Sequence, residues 1–314
     1  MKRTITVDLG AGLVLPTPVL VASGCAGTGR ELGGLVELKR VGGLVSRSIT
    51  QEPRKGSPPP RIAETPSGTV WTTGFQNPGV AAFVDEELPR LVRSGPPVLV
   101  SIVGGSLEEY VRLVGALQTR TEVAAIEMNL SGPDEELRRD VLGEHLDRTS
   151  EVVGAVARMS LVPVFAKIPI WAPQLAELGR AAVRAGAHGL TIGGPPPALG
   201  VRTGDLQPAL GGVTGWLSGP ALKPLTLRAV YEAKRGVPDA PILAVGGVRT
   251  AEDAVEMLLA GASAVQVGTA VLVDPAAPVE IARGIAAYLR AKGLSSPAEL
   301  TGRLRVPTPA GEAS

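Results

Sequence analysis

Eight short apolar runs punctuate the chain, each continuous rather than alternating and rich in Val, Ile and Leu. They are Val19–Ser23, Gly43–Ser46, Val98–Val103, Ala124–Asn129, Val164–Ile168, Gly189–Ile192, Ile242–Val245 and Ala264–Val267. Short unbroken apolarity marks a strand buried on both faces, the habit of parallel sheets. Helical patterning fills most of the intervals. Ser106-Leu107-Glu108-Glu109 has the form of a capping box, with Leu107, Tyr110, Val111, Val114 and Leu117 following at helical spacing. Thr250-Ala251-Glu252-Asp253 opens another helix, whose apolar members include Ala254, Val255, Leu258 and Leu259. Glu135–Met159, Pro173–Ala185, Pro220–Arg235 and Ala276–Arg290 are patterned the same way. Strand and helix alternating in this manner predict an α/β fold, a (β/α)8 TIM barrel formed by residues 1–314 as one domain. A doubly wound open sheet is the alternative that the same units could build. Met1–Asp8 alternates like a strand and is expected to belong to an N-terminal strand pair.

Two connections are too long for plain crossovers. Thr50–Pro78 is rich in Pro and Gly and contains Arg61–Glu64, a Pro66-Ser67-Gly68 turn and Thr69–Thr72, which together read as a hairpin. Gly194–Gly219 is similarly Gly/Pro-rich. Both follow strands, so in a barrel both lie over the C-terminal mouth, where active sites are built.

Composition narrows the function. The 314 residues are 44% hydrophobic and 19% charged with a formal charge of +1, a soluble globular composition without the cationic footprint of a general nucleic-acid binder. A single cysteine, Cys25, excludes an internal disulfide framework and a multi-cysteine metal or iron–sulfur site. Two histidines, His145 and His188, leave little for a metal centre, and none is expected. No apolar run approaches a membrane span and no signal peptide opens the chain, so a cytoplasmic location is expected.

The strongest chemical signal is a pair of glycine turns. One run ends Val245-Gly246-Gly247-Val248 and the next ends Val267-Gly268-Thr269. Glycine lets backbone N–H groups close on an anion, and the loops after the last two strands of such a barrel commonly hold phosphate. Either turn alone could be a tight strand–helix connection. Lys167, one of seven lysines, lies inside an otherwise apolar run. It either serves an anionic partner or packs its stem with the head in solvent. Asn129, in Glu127-Met128-Asn129-Leu130-Ser131-Gly132-Pro133, could present donor and acceptor to a heterocycle or be a satisfied structural amide. Asn77, in Gly74-Phe75-Gln76-Asn77-Pro78-Gly79, has turn chemistry as its plainer role. His145 in a polar helical stretch and His188 at the barrel's bottom are poor catalytic candidates, and Cys25 reads as a packed side chain.

These residues resemble the class 1 dihydroorotate dehydrogenases, especially the subtype that works with an electron-transfer subunit. The carriers are Ala22-Ser23-Gly24-Cys25, Glu52-Pro53-Arg54, Pro60–Gly68, Gln76-Asn77-Pro78-Gly79, Leu217-Ser218-Gly219-Pro220-Ala221, Gly246-Gly247 and Val267-Gly268-Thr269. The similarity runs from about Ile5 to the C-terminal helix. It implies FMN across the barrel mouth, lined by Ala22, Ser23, Asn129, Lys167, Ile192, Gly219, Gly246, Gly247, Gly268 and Thr269, with Arg47, Ser48 and Ser101 on the flavin side. By the same resemblance Lys167 faces the ring's N1–C2=O edge and the two glycine turns hold the phosphate. A homodimer and an iron–sulfur flavoprotein partner are further implications.

The departures concern the substrate. The family's base, a cysteine or serine, corresponds to Gly132, which has no titratable group. Family substrate amides correspond to Trp71, Asp134 and Gly194, while Asn77 and Asn129 remain. A flavin-side lysine is replaced by Arg47 and an asparagine by Ser101. The expectation is an FMN-dependent oxidoreductase acting on a small molecule other than dihydroorotate. One alternative is a true dihydroorotate dehydrogenase with a relocated base at Asp134 or Ser131; another is a flavin-binding protein without turnover of its own.

Overall fold

The computed structural model describes residues 5–130 and 145–306. Eight parallel strands close into a barrel: β1 (Val19–Val21), β2 (Gly43–Val45), β3 (Val98–Ile102), β4 (Val123–Asn129), β5 (Val164–Ile168), β6 (Gly189–Ile192), β7 (Ile242–Val245) and β8 (Ala264–Val267). Each strand pairs with its neighbours in sequence, and β8 pairs with β1 through Val265 and Val19. The closed barrel therefore holds, and the open-sheet alternative falls. The strands match the apolar runs to within one or two residues at their ends.

Most of the helices also follow the pattern. Leu107–Leu117, Leu146–Met159, Leu175–Arg184, Lys223–Gly236, Ala251–Ala260 and Ala277–Lys292 pack outside the barrel. Thr250 and Asp253 complete a reciprocal capping box. At Ser106 only half of one forms: Ser106 Oγ accepts from Glu109 N, while the Glu109 carboxylate takes the N–H of Gly105 instead. One helical stretch went unread, Gly79–Ala82 continuing through Phe83–Glu87 to Leu88–Arg93. Pro89 interrupts it, lacking an N–H and crowding the carbonyl four residues back. The wider π-turn at Phe83–Glu87 makes room for that ring.

The barrel interior is graded from apolar to polar. At the bottom, the antiparallel pair Val7–Asp8 and Val14–Leu15 forms a plug. Its Leu9, Leu13 and Leu15 pack on inward residues including Leu20, Leu99, Phe165 and Leu243. His188 belongs to this end, its Nε2 lying 2.6 Å from Leu9 O and its ring edge-on to Phe165. Two residues further along several strands, on the same inward face, the side chains turn polar: Ser101, Glu127, Lys167 and Gln266, joined by Thr191 of β6. All are buried, and this layer is the floor of the mouth.

The two long connections meet above it. Ile62–Thr65 and Gly68–Trp71 form the expected hairpin. Gly215–Ser218 adds to its Gly68–Trp71 strand, and Pro197–Ala198 adds to Gly215–Ser218. The result is a four-stranded antiparallel roof.

Candidate active site

Between floor and roof lies a cavity of about 1540 Å³. It exceeds the roughly 300–1,000 Å³ typical of single small-ligand sites. Its walls come from the C-terminal ends of the strands and from both long loops.

Lys167 is the charged centre of the floor. Its Nζ lies 2.8 Å from Glu127 Oε1, and the Glu127 side chain is wholly buried. The other carboxylate oxygen accepts from Thr191 Oγ1 at 3.0 Å and Gln266 Nε2 at 2.6 Å. Four inward side chains from β4, β5, β6 and β8 thus hold one ion pair, and Lys167 still lines the cavity. Gln266 Oε1 has no partner among the described residues. Glu127, Thr191 and Gln266 were given no role from the sequence. The available signal was Glu127, a charge within an apolar strand just as Lys167 is.

Beside the floor, Asn129 Nδ2 donates to Ser48 Oγ at 3.1 Å, and Ser48 Oγ lies 2.9 Å from Ser101 Oγ. Asn129, Ser48, Ala22, Ser23 and Arg47 line the cavity. Arg47 reaches back to Glu87, its Nε lying 3.5 Å from the carboxylate. Cys25 lines it too, but burial pushes its thiol up to about 11 despite the opposing pull of the Lys167 ammonium. At neutral pH it is a packed thiol and not a nucleophile.

The glycine turns form a cradle at one edge. Gly246, Gly247, Gly268 and Thr269 line the cavity, and their N–H groups donate to no acceptor among the described residues. Gly246 and Gly247 have φ of 133° and 80°, a region that favours glycine. A Cβ on Gly246 would stand 2.6 Å from Thr226 Oγ1, and one on Gly247 would overlap the Lys223 backbone nitrogen. Lys223 Nζ is itself held 2.8 Å from Asp253 Oδ1, while Asp253 Oδ2 accepts the N–H groups of Arg249 and Thr250. The loop is therefore fixed from behind and offers unpaired donors in front. That is the chemistry a phosphate requires, and with the Lys167 floor it fits a flavin mononucleotide. Gly219 also lines the cavity, under the roof.

Three expected site residues stand elsewhere. Ile192 is fully buried and packs in the outer core between strands and helices, because its inward-facing neighbour on β6 is Thr191. Ser101 faces inward but lies beneath Ser48, fully buried. Asn77 spends its amide on the loop: Nδ2 donates to Thr50 Oγ1 and Phe75 O, and Oδ1 accepts from Thr50 N and Gly79 N. Its turn role is the one the geometry supports, and it does not line the cavity. Trp71 and Gly194 do line it. Ser131, Gly132 and Asp134 lie outside the described residues. Two roof residues line the cavity without a site role assigned from the sequence: Trp216, and Ser218 of the Leu217–Ala221 motif.

Comparison with known proteins adds the following. Residues 8–289 match the family model described as dihydroorotate dehydrogenase. The chain is 41% identical over 292 residues to the "dihydroorotate dehydrogenase B (NAD(+)), catalytic subunit" of Endomicrobium trichonymphae, covering 93% of this chain and 94% of that protein. The protein of the same name from Pelobacter propionicus is 38% identical over 304 residues, covering 97% and 99%. Among solved structures, that of DHODH in complex with ferulenol from Eimeria tenella superposes with a TM-score of 0.79 at 21% identity. That match covers 95% of this chain and 88% of the other and supports the fold. No helix among the described residues is long and apolar enough to cross a membrane.

Proposed function

The chain belongs to the dihydroorotate dehydrogenase family, is a flavin-dependent oxidoreductase acting on CH–CH groups and uses FMN; on that premise we propose that dihydroorotate is the substrate to rank first. This reading stood second on the sequence alone. Identity of 41% across 93% of the chain to a protein named for that activity moves it forward, and this observation carries it. The relatives' names also support a catalytic subunit that passes electrons to a separate partner. An iron–sulfur flavoprotein fits that role, since the lone Cys25 could not hold a cluster within this chain. A homodimer and a cytoplasmic location complete the proposal.

Bound FMN supplies a two-electron acceptor. The protein's own groups have separable tasks. Gly246, Gly247, Gly268 and Thr269 would hold the phosphate through free N–H groups. Lys167, kept in place by Glu127, would set a positive charge against the ring, which favours the reduced state. The substrate's proton must leave to a base, and the family's position for it is Gly132. Under this reading the proton goes to another group near that position, with Asp134 and Ser131 the candidates.

A second reading, turnover of a different ring, rests on one specific observation. Trp71, which corresponds to a family substrate amide, lines the cavity from the roof. A site built to hydrogen-bond a polar ring loses heavily when its amide becomes apolar. Anaerobic addition of L-dihydroorotate to the purified yellow protein separates the two. Rapid bleaching at enzyme-like turnover supports the first reading. No bleaching, with dithionite still reducing the flavin, supports the second.

A further inference from the structure

The roof sheet presents two rows of side chains to the cavity, and they differ in chemistry. Directly paired residues on antiparallel strands share a face. One row runs Glu64, Thr69, Ser218 in register. It is polar and tied to the phosphate cradle: Ser218 Oγ lies 3.0 Å from Thr69 Oγ1 and accepts from Thr269 Oγ1 at 2.9 Å. The other row runs Ile62, Trp71, Trp216. All three line the cavity and none is buried; Ile62 is 51% exposed. The opposite face carries Ala63, Val70 and Leu217 in register, with Val70 buried and Leu217 packed on the outer core. The sheet thus has a conventional packed side, and its second apolar side is aimed into the site.

A row of one exposed isoleucine and two half-buried tryptophans lining a cavity has a ligand role to explain it. Indole faces offer area at little entropic cost and favour flat, polarisable partners. The row lies two residues along each strand from the phosphate-linked hydroxyls, so a phosphate in the cradle does not cover it. Lys167 and Arg47 are already paired with Glu127 and Glu87, but the loop and roof side of the cavity carries Arg54, Lys55 and Arg61 against Glu64, a local positive excess beside the apolar row.

We propose that Ile62, Trp71 and Trp216 form a stacking platform that selects a planar aromatic carboxylate, larger and more apolar than orotate, as the substrate-side ligand. This deepens the second reading above and rests on it. Trp71 and Trp216 are the specificity-determining residues, acting by contact with the ring.

The test titrates FMN-loaded protein with 1-naphthoate, its saturated analogue decahydro-1-naphthoate, and orotate, reading the flavin difference spectrum. Flavin content and melting temperature are measured on each sample. Naphthoate is expected to bind at least about tenfold more tightly than orotate or the saturated acid. Trp71→Ala and Trp216→Ala should each weaken it by about tenfold or more, the usual scale for a lost stacking partner. Trp71→Phe should retain binding, and Trp71→Asn should raise orotate affinity relative to naphthoate. Tighter binding of orotate than of naphthoate by the wild type overturns the proposal. So does unchanged naphthoate binding in both alanine variants, or loss of binding in folded, yellow Trp71→Phe. Bleaching by dihydroorotate, run alongside, is the separate result that removes the underlying reading.

Discussion

Lys167→Met isolates the ion pair at the barrel floor. The ammonium is 2.8 Å from a carboxylate that is wholly buried and whose other oxygen already has two neutral donors. Removing the lysine leaves that carboxylate without a cation in a place water reaches only from the cavity side. Breaking a buried pair by deleting one partner costs about 3–5 kcal/mol. The Lys167 side chain is 10% exposed at the cavity, so the lower figure applies. For a chain of 314 residues about 3 kcal/mol corresponds to a fall of roughly 4–5 °C in Tm. The adverse term is the orphaned charge, so Lys167→Met/Glu127→Gln should recover much of the loss even though it removes the whole pair. The assay is thermal unfolding of the four proteins of this cycle, stripped of flavin, at one pH and salt. A separate consequence appears when flavin is bound: Lys167→Met should lower its reduction potential, because the charge that favours the reduced ring has gone. A single variant melting within 1 °C of wild type, or a double variant losing as much as the sum of the singles, would refute the reasoning.

Other outcomes can be checked on the same material. Gly247→Ala should lose FMN and stability together, since the new Cβ overlaps Lys223 backbone at a positive φ; full flavin occupancy with an unchanged Tm would contradict the cradle. Asp253 has its carboxyl held below the usual range: burial opposes ionisation, but the Lys223 ammonium and the N–H groups of Arg249 and Thr250 outweigh it. A lowered folded pKa gives stability that is present above the unfolded value near 3.8 and lost as pH falls through the folded one. Asp253→Asn should therefore cost about 1 kcal/mol at pH 7 by weakening the cap, with the gap to wild type closing below about pH 4; a gap independent of pH in urea melts would count against it. For Cys25, a rise from 9.0 to about 11 means about a hundredfold less thiolate at pH 8 than an unperturbed thiol. Iodoacetamide should label it correspondingly slowly, with a rate still climbing at pH 10, and a plateau by pH 9 would be the contrary result.

The barrel was legible because its strands are buried on both faces, and a run such as Val164–Ile168 can be little else at that length. The same property hid the direction of individual side chains. Gly189–Ile192 is buried at every position and too short to alternate clearly, so the sequence did not show that Thr191 faces inward and Ile192 outward; register with β5 and β7 decides it. Lys167 stood out as a charge in an apolar strand and Glu127, equally placed, was passed over; their partnership spans 40 residues and depends on β4 lying beside β5. The hairpin at Pro66-Ser67-Gly68 was readable from turn chemistry. Its extension by Gly215–Ser218 was not: Thr69 and Ser218 are 149 residues apart, and nothing in either loop names the other. Asn77 erred in the opposite way. Its local turn role was visible, and the four hydrogen bonds that consume its amide were not.

The cavity is divided between two kinds of scaffold, and that division bears on how its substrate could have changed. The residues matched to flavin binding sit at strand ends and on the glycine turns, where barrel register and the Lys223–Asp253 clasp fix them. Trp71 and Trp216 sit on connections that follow β2 and β6, paired with one another and linked to the cradle through the Thr69, Ser218 and Thr269 hydroxyls. A substitution on the apolar row alters what the roof offers a ring without moving a floor residue or a cradle N–H. The polar row transmits more, since Ser218 touches both scaffolds. Trp71→Asn should therefore shift ligand preference at constant FMN content, whereas Ser218→Ala should disturb flavin retention. If Trp71→Asn instead empties the flavin site, roof and floor are one unit, and the changes at Trp71 and at the flavin side cannot be treated as independent.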